Sequence, residues 1–128
     1  MKSTFALNIE KGTVELSHGA GGRASAQLIE EVFAKHFTNE WLDEGHDGAL
    51  LPAIRRPVAV SCDAHVVSPL FFPGGDIGKL AVCGTVNDVA MCGAKPLYLT
   101  ASFIIEEGFA LADLEPVSYT HLRAHETD

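Results

Sequence analysis

The chain has 128 residues, 47% of them hydrophobic, and a formal net charge of −8 at pH 7. This length allows one domain with a hydrophobic core, and no apolar run approaches the roughly 20 residues of a membrane helix, so we expect no membrane partner. The negative charge argues against a nucleic-acid partner, because a phosphate backbone binds to a basic face, although a few local donors could hold a small anion.

The first half of the chain predicts a strand, a loop and a helix. Residues 12–16 are half polar and predict a short edge strand. The stretch "SHGAGG", residues 17–22, predicts a loop, because three glycines in four residues disfavour regular structure. Residues 23–37 have apolar side chains at helical spacing and predict an amphipathic helix. The polar residues 39–57 predict a mobile loop.

The second half repeats the alternation of strand and helix. Residues 58–63 alternate and predict a strand, and Asp76 is a suitable N-cap for a helix over 77–92 that Gly93 ends. Residues 97–105 predict a strand that is apolar on both faces and therefore covered on both, and another helix begins near residue 110. This order of elements indicates an α/β or α+β fold.

The glycine loop before the first helix is a candidate phosphate site. Gly19, Gly21 and Ala24 formally satisfy the dinucleotide fingerprint G-x-G-x-x-A, yet the segment before them is half polar where that fingerprint needs a buried strand. We favour a phosphate-covering loop that uses backbone N–H groups and the following helix N-terminus, with a plain tight turn as the alternative. His18, inside this loop, is the histidine that we expect to be functional.

Two carboxylates are candidate metal ligands. Asp63 ends a predicted strand, where ligand sites of α/β sheets lie, and Asp88 has apolar neighbours on the predicted helix. An unpaired buried carboxylate costs several kcal/mol, so we expect Asp88 to be paired. The two would suit Mg²⁺, which takes one or two carboxylates together with phosphates and water. A turn-forming role for Asp63 and a solvated position for Asp88 are the alternatives.

The cysteines point to a cytoplasmic protein without a thiolate metal site. Cys62, Cys83 and Cys92 are too few and too irregular for a disulfide framework, and the N-terminus does not have the pattern of a signal peptide. Cys83 and Cys92 lie nine residues apart on one predicted helix, so they face opposite ways and cannot share a metal. We predict that they are core thiols.

Two segments, "LSHGAGGRASAQLIEEVF" and the run from "DAHVV" to "FIIEEG" that contains "FFPGGDIGKLA" and "NDVAMCGA", resemble a known family. They are similar to the N-terminal part of the hydrogenase-maturation dehydratases in the aminoimidazole ribonucleotide (AIR) synthetase-like superfamily, over about residues 14–115. The resemblance implies an α+β domain with a mixed sheet and flanking helices. It also implies a homodimer in which strands of two protomers close a β-barrel, with ATP in the groove between them.

The resemblance further implies an ATP-dependent reaction. A carbamoyl group on a C-terminal cysteine would be dehydrated to a thiocyanate, the source of the cyanide ligands of nickel–iron hydrogenase, with a carbamoyltransferase and an iron-scaffold protein as partners. ATP would phosphorylate the amide oxygen. The matching positions are His18 and Asp88 as catalytic residues, Gly19, Gly21, Gly22, Lys79 and Asn87 as ATP-binding residues, and Asp63 and Asp88 as Mg²⁺ ligands.

The chain also departs from the family. We expect full-length members of the family to be enzymes. The family's second domain and its terminal cysteine are not among these residues, so we expect this chain to be inactive by itself. Residues 1–115 form the predicted domain, whereas 116–128 resemble vector or adaptor read-through. The alternatives are another enzyme of the superfamily, namely AIR synthetase, thiamine monophosphate kinase or selenophosphate synthetase, or a non-catalytic nucleotide-binding dimerisation module.

Overall fold

The structure is a computed structural model that describes residues 6–125, with the backbone alone for 121–125. Residues 1–5 and 126–128 lie outside the described residues. The first range is part of the N-terminus that we predicted not to be a signal peptide, and the second is the end of the predicted read-through tail. The helices are α1 (Arg23–Leu28, Ile29–Ala34 and Lys35–Phe37 in succession), α2 (Glu40–Asp43), α3 (Ile77–Met91) and α4 (Leu111–His125), and the strands are β1 (Phe71–Phe72) and β2 (Gly75–Asp76).

Helix α1 confirms the amphipathic helix predicted over residues 23–37. Leu28 and Val32 lie four residues apart, so they share one face, and both are buried. They form the core with residues of α4 and of the segment before the glycine loop: Val14, Leu111 and Leu114. Burying each such side chain contributes about 1.5–3 kcal/mol. Ile29, which the pattern places on the apolar face, is 55% exposed.

Helix α3 begins and ends where the sequence predicts. The Asp76 carboxylate accepts a hydrogen bond from the Lys79 backbone N–H at 3.0 Å, which satisfies a donor at the helix N-terminus. The helix ends at Met91, and Gly93 follows with a φ of 69°, a left-handed conformation that glycine adopts without strain. Both ends of α3 are therefore determined by nearby residues.

Helix α4 packs along α3 and continues past residue 115. Val117 and Ser118 are buried, and Thr120 Oγ1 lies 2.7 and 2.6 Å from the two carboxylate oxygens of Asp76. Residues 117 and 120, which belong to the predicted read-through tail, thus contact α3 and its N-cap. The assignment of 116–128 to a non-native tail stays a prediction about their origin.

The predicted strands are the main difference between sequence and structure. Residues 12–14 pair with residues 108–111 through three backbone hydrogen bonds, but only Thr13 and Ala110 form a bridge. Within residues 6–125, segments 58–63 and 97–105 form no strand, and the one sheet is the antiparallel hairpin of β1 and β2. A strand requires a hydrogen-bonded neighbour, and residues 6–125 place none beside those two segments.

Two further predictions concern loops. The glycine loop begins with a 3-10 helix, Leu16–Gly19, where we expected no helix, because a single tight turn tolerates the glycines that a long helix would not. The predicted loop 39–57 contains only α2, and Trp41 Nε1 donates a hydrogen bond to the Leu50 carbonyl at 3.2 Å. Across the described part of the chain, none of the helices has the length and hydrophobicity needed to cross a membrane.

Candidate functional site

His18 has a defined hydrogen-bonding state at the start of the glycine loop. Its Nδ1 accepts a hydrogen bond from the Glu15 backbone N–H at 2.8 Å. A backbone N–H can only donate, so the neutral ring carries its proton on Nε2. His18 therefore presents an N–H donor to a ligand, and one that suits an anionic oxygen.

The glycines of the loop lie open to solvent. A Cβ added to Gly19, Gly21 or Gly22 would meet no atom within 4 Å, so packing does not require glycine at these positions. Gly21 has a φ of 75°, and its N–H donates to Ser25 Oγ at 2.9 Å. Gly22 is the N-cap of α1 and offers no capping side chain, so the first backbone N–H groups of α1 receive no acceptor from it. A ligand could approach this backbone closely.

Two shallow depressions flank His18. One, of about 350 Å³, reaches Gln27 and Leu111, and the other, of about 280 Å³, reaches Phe33 and Ile105. Their sizes are near the lower end of the range for small-molecule pockets. His18 thus lies between a more polar and a more apolar surface.

Asp88 is exposed, which corrects the premise that it lies in apolar surroundings. Val86 and Val89 are half-buried, whereas Asp88 faces outward on α3 and nearby Met91 is 80% exposed. The carboxylate is therefore not buried, so the burial cost on which that premise was based does not apply. It still has a partner, because Ser61 Oγ donates to Asp88 Oδ2 at 3.2 Å.

Asp63 lies in the same region through its neighbour His65. Asp63 Oδ1 accepts from the Ala64 N–H at 2.9 Å, and its Oδ2 lies 3.4 Å from His65 Nε2. The His65 side chain is only 16% exposed and lies against Gly84 on α3. Gly84 and Asp88 are one helical turn apart on one face. The structure thus brings segment 61–65 and its carboxylate to the stretch of α3 that carries Asp88.

The other predicted site residues are distributed differently. Asn87 is exposed beside Asp88. Lys79 Nζ donates to the Gly74 carbonyl at 2.9 Å, and it lies about 13 Å from Asp88 along the helix axis. No hydrogen bond or ion pair in residues 6–120 joins His18 to Asp63 or Asp88. The glycine loop and the two carboxylates form separate groups in this chain.

A metal at the two carboxylates would need ligands from outside the chain. Among the residues that the structure describes, no group of three or more His, Cys, Asp and Glu side chains could hold a metal ion. Mg²⁺ commonly takes one or two carboxylates and completes its octahedron with phosphate and water. The exposed donor set of Asp63 and Asp88 fits that mode of binding and not a closed protein site.

Ser61 and His65 were missed at the level of the sequence. In an extended segment, alternate residues share a face, so Ser61, Asp63 and His65 have the spacing of one side of a strand. Gly84 and Asp88 have the matching spacing of one helix face. These two periods place each set of residues on one face of its element, but the contact between the two elements follows only from the structure.

The cysteines do not form part of the core. Cys62, Cys83 and Cys92 are all exposed, so the prediction of core thiols is wrong. Cys83 follows the buried Val82, and one residue turns a helix by about 100°, which carries the thiol away from the buried face.

Comparison with known proteins gives consistent matches. Residues 45–120 match the family model described as AIR synthase related protein, N-terminal domain. Carbamoyl dehydratase HypE of Cupriavidus necator is 65% identical over 113 residues, which cover 87% of this chain and 32% of that protein. The Escherichia coli K12 protein of the same name is 49% identical over 109 residues, with 81% and 32% covered.

A solved structure gives the same result. The crystal structure of the hydrogenase maturation protein HypE in complex with ATP matches with a TM-score of 0.85 at 49% identity, covering 89% of this chain and 34% of that one. The predicted α+β domain of the AIR synthetase-like type is therefore confirmed. The chain spans about a third of the length of the curated relatives it matches.

Proposed function

The chain belongs to the AIR synthase related family through its N-terminal domain, and we propose that it is the ATP-binding part of a carbamoyl dehydratase of the HypE type. The observation that carries this proposal is the likeness, at 49% identity, to a HypE structure that was solved with ATP. The reaction would be the dehydration of a carbamoylated C-terminal cysteine to a thiocyanate during hydrogenase maturation.

The glycine loop would hold phosphate oxygens of ATP. Gly19, Gly21 and Gly22 leave room for a ligand against the backbone, and the N-terminus of α1 adds a partial positive charge. The Nε2–H of His18 would donate to an anionic oxygen, which follows from the hydrogen bond that Nδ1 accepts from Glu15. In this role His18 orients and stabilises phosphate and does not act as a general base.

Asp63 and Asp88 would hold Mg²⁺ together with phosphate and water. Both side chains are exposed, and contacts of Ser61 and His65 keep their segment against α3. Bound Mg²⁺ would neutralise charge on the phosphates during transfer to the carbamoyl oxygen. Asn87 lies beside Asp88 and would support the same phosphates.

A second copy of the chain would cover the exposed apolar side chains of segments 58–63 and 97–105. The exposed side chains include Val58, Val60, Val66, Leu97 and Ile104, of which Ile104 is fully exposed. Contiguous exposed apolar surface and unpaired strand-forming segments mark interfaces. We propose that segments 58–63 and 97–105 pair across a homodimer and close the β-barrel.

The remaining partners and the location follow from the same proposal. A HypE-type protein would interact with a carbamoyltransferase and an iron-scaffold protein, in the cytoplasm. Lys79 would act at the turn before α3 instead of on the phosphates near Asp88, because its Nζ already donates to the Gly74 carbonyl.

The proposal is tested by calorimetric titration of the chain with ATP, in Mg²⁺ and in excess chelator. We expect saturable binding that weakens when Mg²⁺ is removed. His18→Ala, which removes the donor, should weaken binding, whereas His46→Ala, an exposed histidine outside the site, should not. A folded dimer that shows no heat of ATP binding in Mg²⁺ would contradict the proposal.

A further inference from the structure

Gly84 on α3 lies directly under the His65 ring. A Cβ added there would lie 2.6 Å from His65 Nε2, 3.4 Å from Cε1 and 3.7 Å from Cδ2. Carbon and nitrogen atoms do not approach that closely without bonding, so any larger side chain would displace the ring. The ring can move because it is a side chain, so the backbone of α3 need not shift.

The displaced ring would not move alone. His65 Nε2 lies 3.4 Å from Asp63 Oδ2, and Ser61 Oγ donates to Asp88 one turn further along α3. Segment 61–65 forms no strand, so these two side-chain contacts hold it to the helix. Losing the His65 contact would remove one of these two attachments and leave the Ser61 hydrogen bond.

We propose that Gly84 seats the His65 ring on α3, and that this seating positions the Asp63 carboxylate next to Asp88 for a Mg²⁺–nucleotide. The inference rests on the proposed function, since it concerns the same two carboxylates as ligands of Mg²⁺. His65 is then a positioning residue that acts through Asp63. Glycine is required at position 84 because any side chain there would occupy the space of the His65 ring.

Alanine at position 84 separates this role from a structural one. Glycine inside a helix is less stable than alanine, so Gly84→Ala should leave the melting temperature unchanged or raise it. Side chains that orient metal ligands commonly change metal affinity by about 10–100-fold when mutated, so the same variant should bind Mg²⁺–ATP about tenfold or more weakly. The affinity then falls without any loss of stability.

Gly78 provides the matched control on the same helix. A Cβ there would meet the backbone carbonyl oxygen of Val117, which cannot move aside without shifting α4. Gly78→Ala should therefore lower the melting temperature. Measured at a temperature where that variant is folded, its affinity for Mg²⁺–ATP should equal the wild-type value.

The decisive experiment is a double-mutant cycle measured by calorimetry with Mg²⁺–ATP. The chains are the wild type, Gly84→Ala, His65→Ala and the double variant, each with its melting temperature. If Gly84→Ala acts by unseating His65, both single variants and the double variant lose affinity by the same factor.

Each other outcome has a definite meaning. Wild-type affinity in Gly84→Ala would overturn the seating, and so would a loss in the double variant equal to the product of the single losses, because the new methyl group would then act on the ligand directly. A wild-type chain that does not bind Mg²⁺–ATP would overturn the proposed function itself. Failure of the seating proposal is therefore distinguished from failure of the proposed function by whether the wild-type chain binds Mg²⁺–ATP.

Discussion

The two apolar regions of this domain differ in how much of their side chains the chain itself buries. Around Val32 and Leu111, both at most 1% exposed, helices α1 and α4 supply each other with a complete core. In segments 58–63 and 97–105, Val60 is 87% exposed and Ile104 is fully exposed, although Phe103 and Ile105 pack against the first region. The first region is complete within one chain, whereas the second has the composition of a core and the exposure of a surface. We infer that the second region is an interface and that the carboxylate site lies at its border.

The largest expected effect is on the folding of the complete region. Leu111→Ala should lower the free energy of unfolding by about 2–5 kcal/mol, because it leaves a cavity beside α1. Ile104→Ala should change the unfolding of the monomer by less than about 0.5 kcal/mol, since its side chain is fully exposed. Urea titrations on dilute samples of both variants measure this difference. Equal losses would mean that the monomer buries Ile104 in solution.

The next effect is on association. The chain should sediment as a dimer in the micromolar range, and Ile104→Asp should shift it to monomer, because a charge would be buried against an apolar surface without a partner. Tyr98 is exposed within the same segment and makes an edge-on contact with Trp41, with 5.4 Å between the ring centroids. Tyr98→Phe keeps the ring and introduces no charge, so it serves as a conservative control. A stable wild-type monomer in analytical ultracentrifugation would contradict the interface.

The smallest effect is electrostatic and belongs to the complete region. The hydrogen bond from Lys35 holds the pKa of Glu115 below its ordinary value of 4.5, although partial burial opposes that shift. The resulting stability is present above the ordinary pKa and is lost as the pH falls through the lowered value. Because both side chains are partly exposed, it amounts to at most about 1 kcal/mol. Lys35→Met should remove this part of the acid dependence in urea titrations at a series of pH values. An unchanged pH profile would show that the pair contributes nothing.

The same contrast explains what the sequence could and could not predict. Helix α3 was predicted at both ends because its signals, Asp76 and Gly93, act within a few residues of the backbone groups that they affect. The predicted strand over 97–105 is absent from the structure. Strand formation depends on a hydrogen-bonded partner, and the local sequence does not determine whether one is present. Local preference was therefore sufficient to predict α3 and insufficient to predict a strand over 97–105.

The candidate site shows the same limit. The residue types of Asp63 and Asp88 predicted the pair, but apolar neighbours suggested a buried Asp88, and the helix in fact turns it toward solvent. The contact between His65 and Gly84 joins residues 19 positions apart. Only the packing of segment 61–65 on α3 reveals that contact, so the role of Gly84 follows from the structure.

The central claim is that Asp88 serves a cation–nucleotide complex and not the fold. Calorimetry with Mg²⁺–ATP on the wild type, Asp88→Asn and the exposed control Asp113→Asn tests it most directly. Asparagine keeps the volume and the Ser61 hydrogen bond but removes the charge. We predict at least about a tenfold loss of affinity for Asp88→Asn alone, with all three melting temperatures alike in the absence of ligand. Wild-type affinity in Asp88→Asn, together with a lowered melting temperature, would make Asp88 a structural residue and contradict the account.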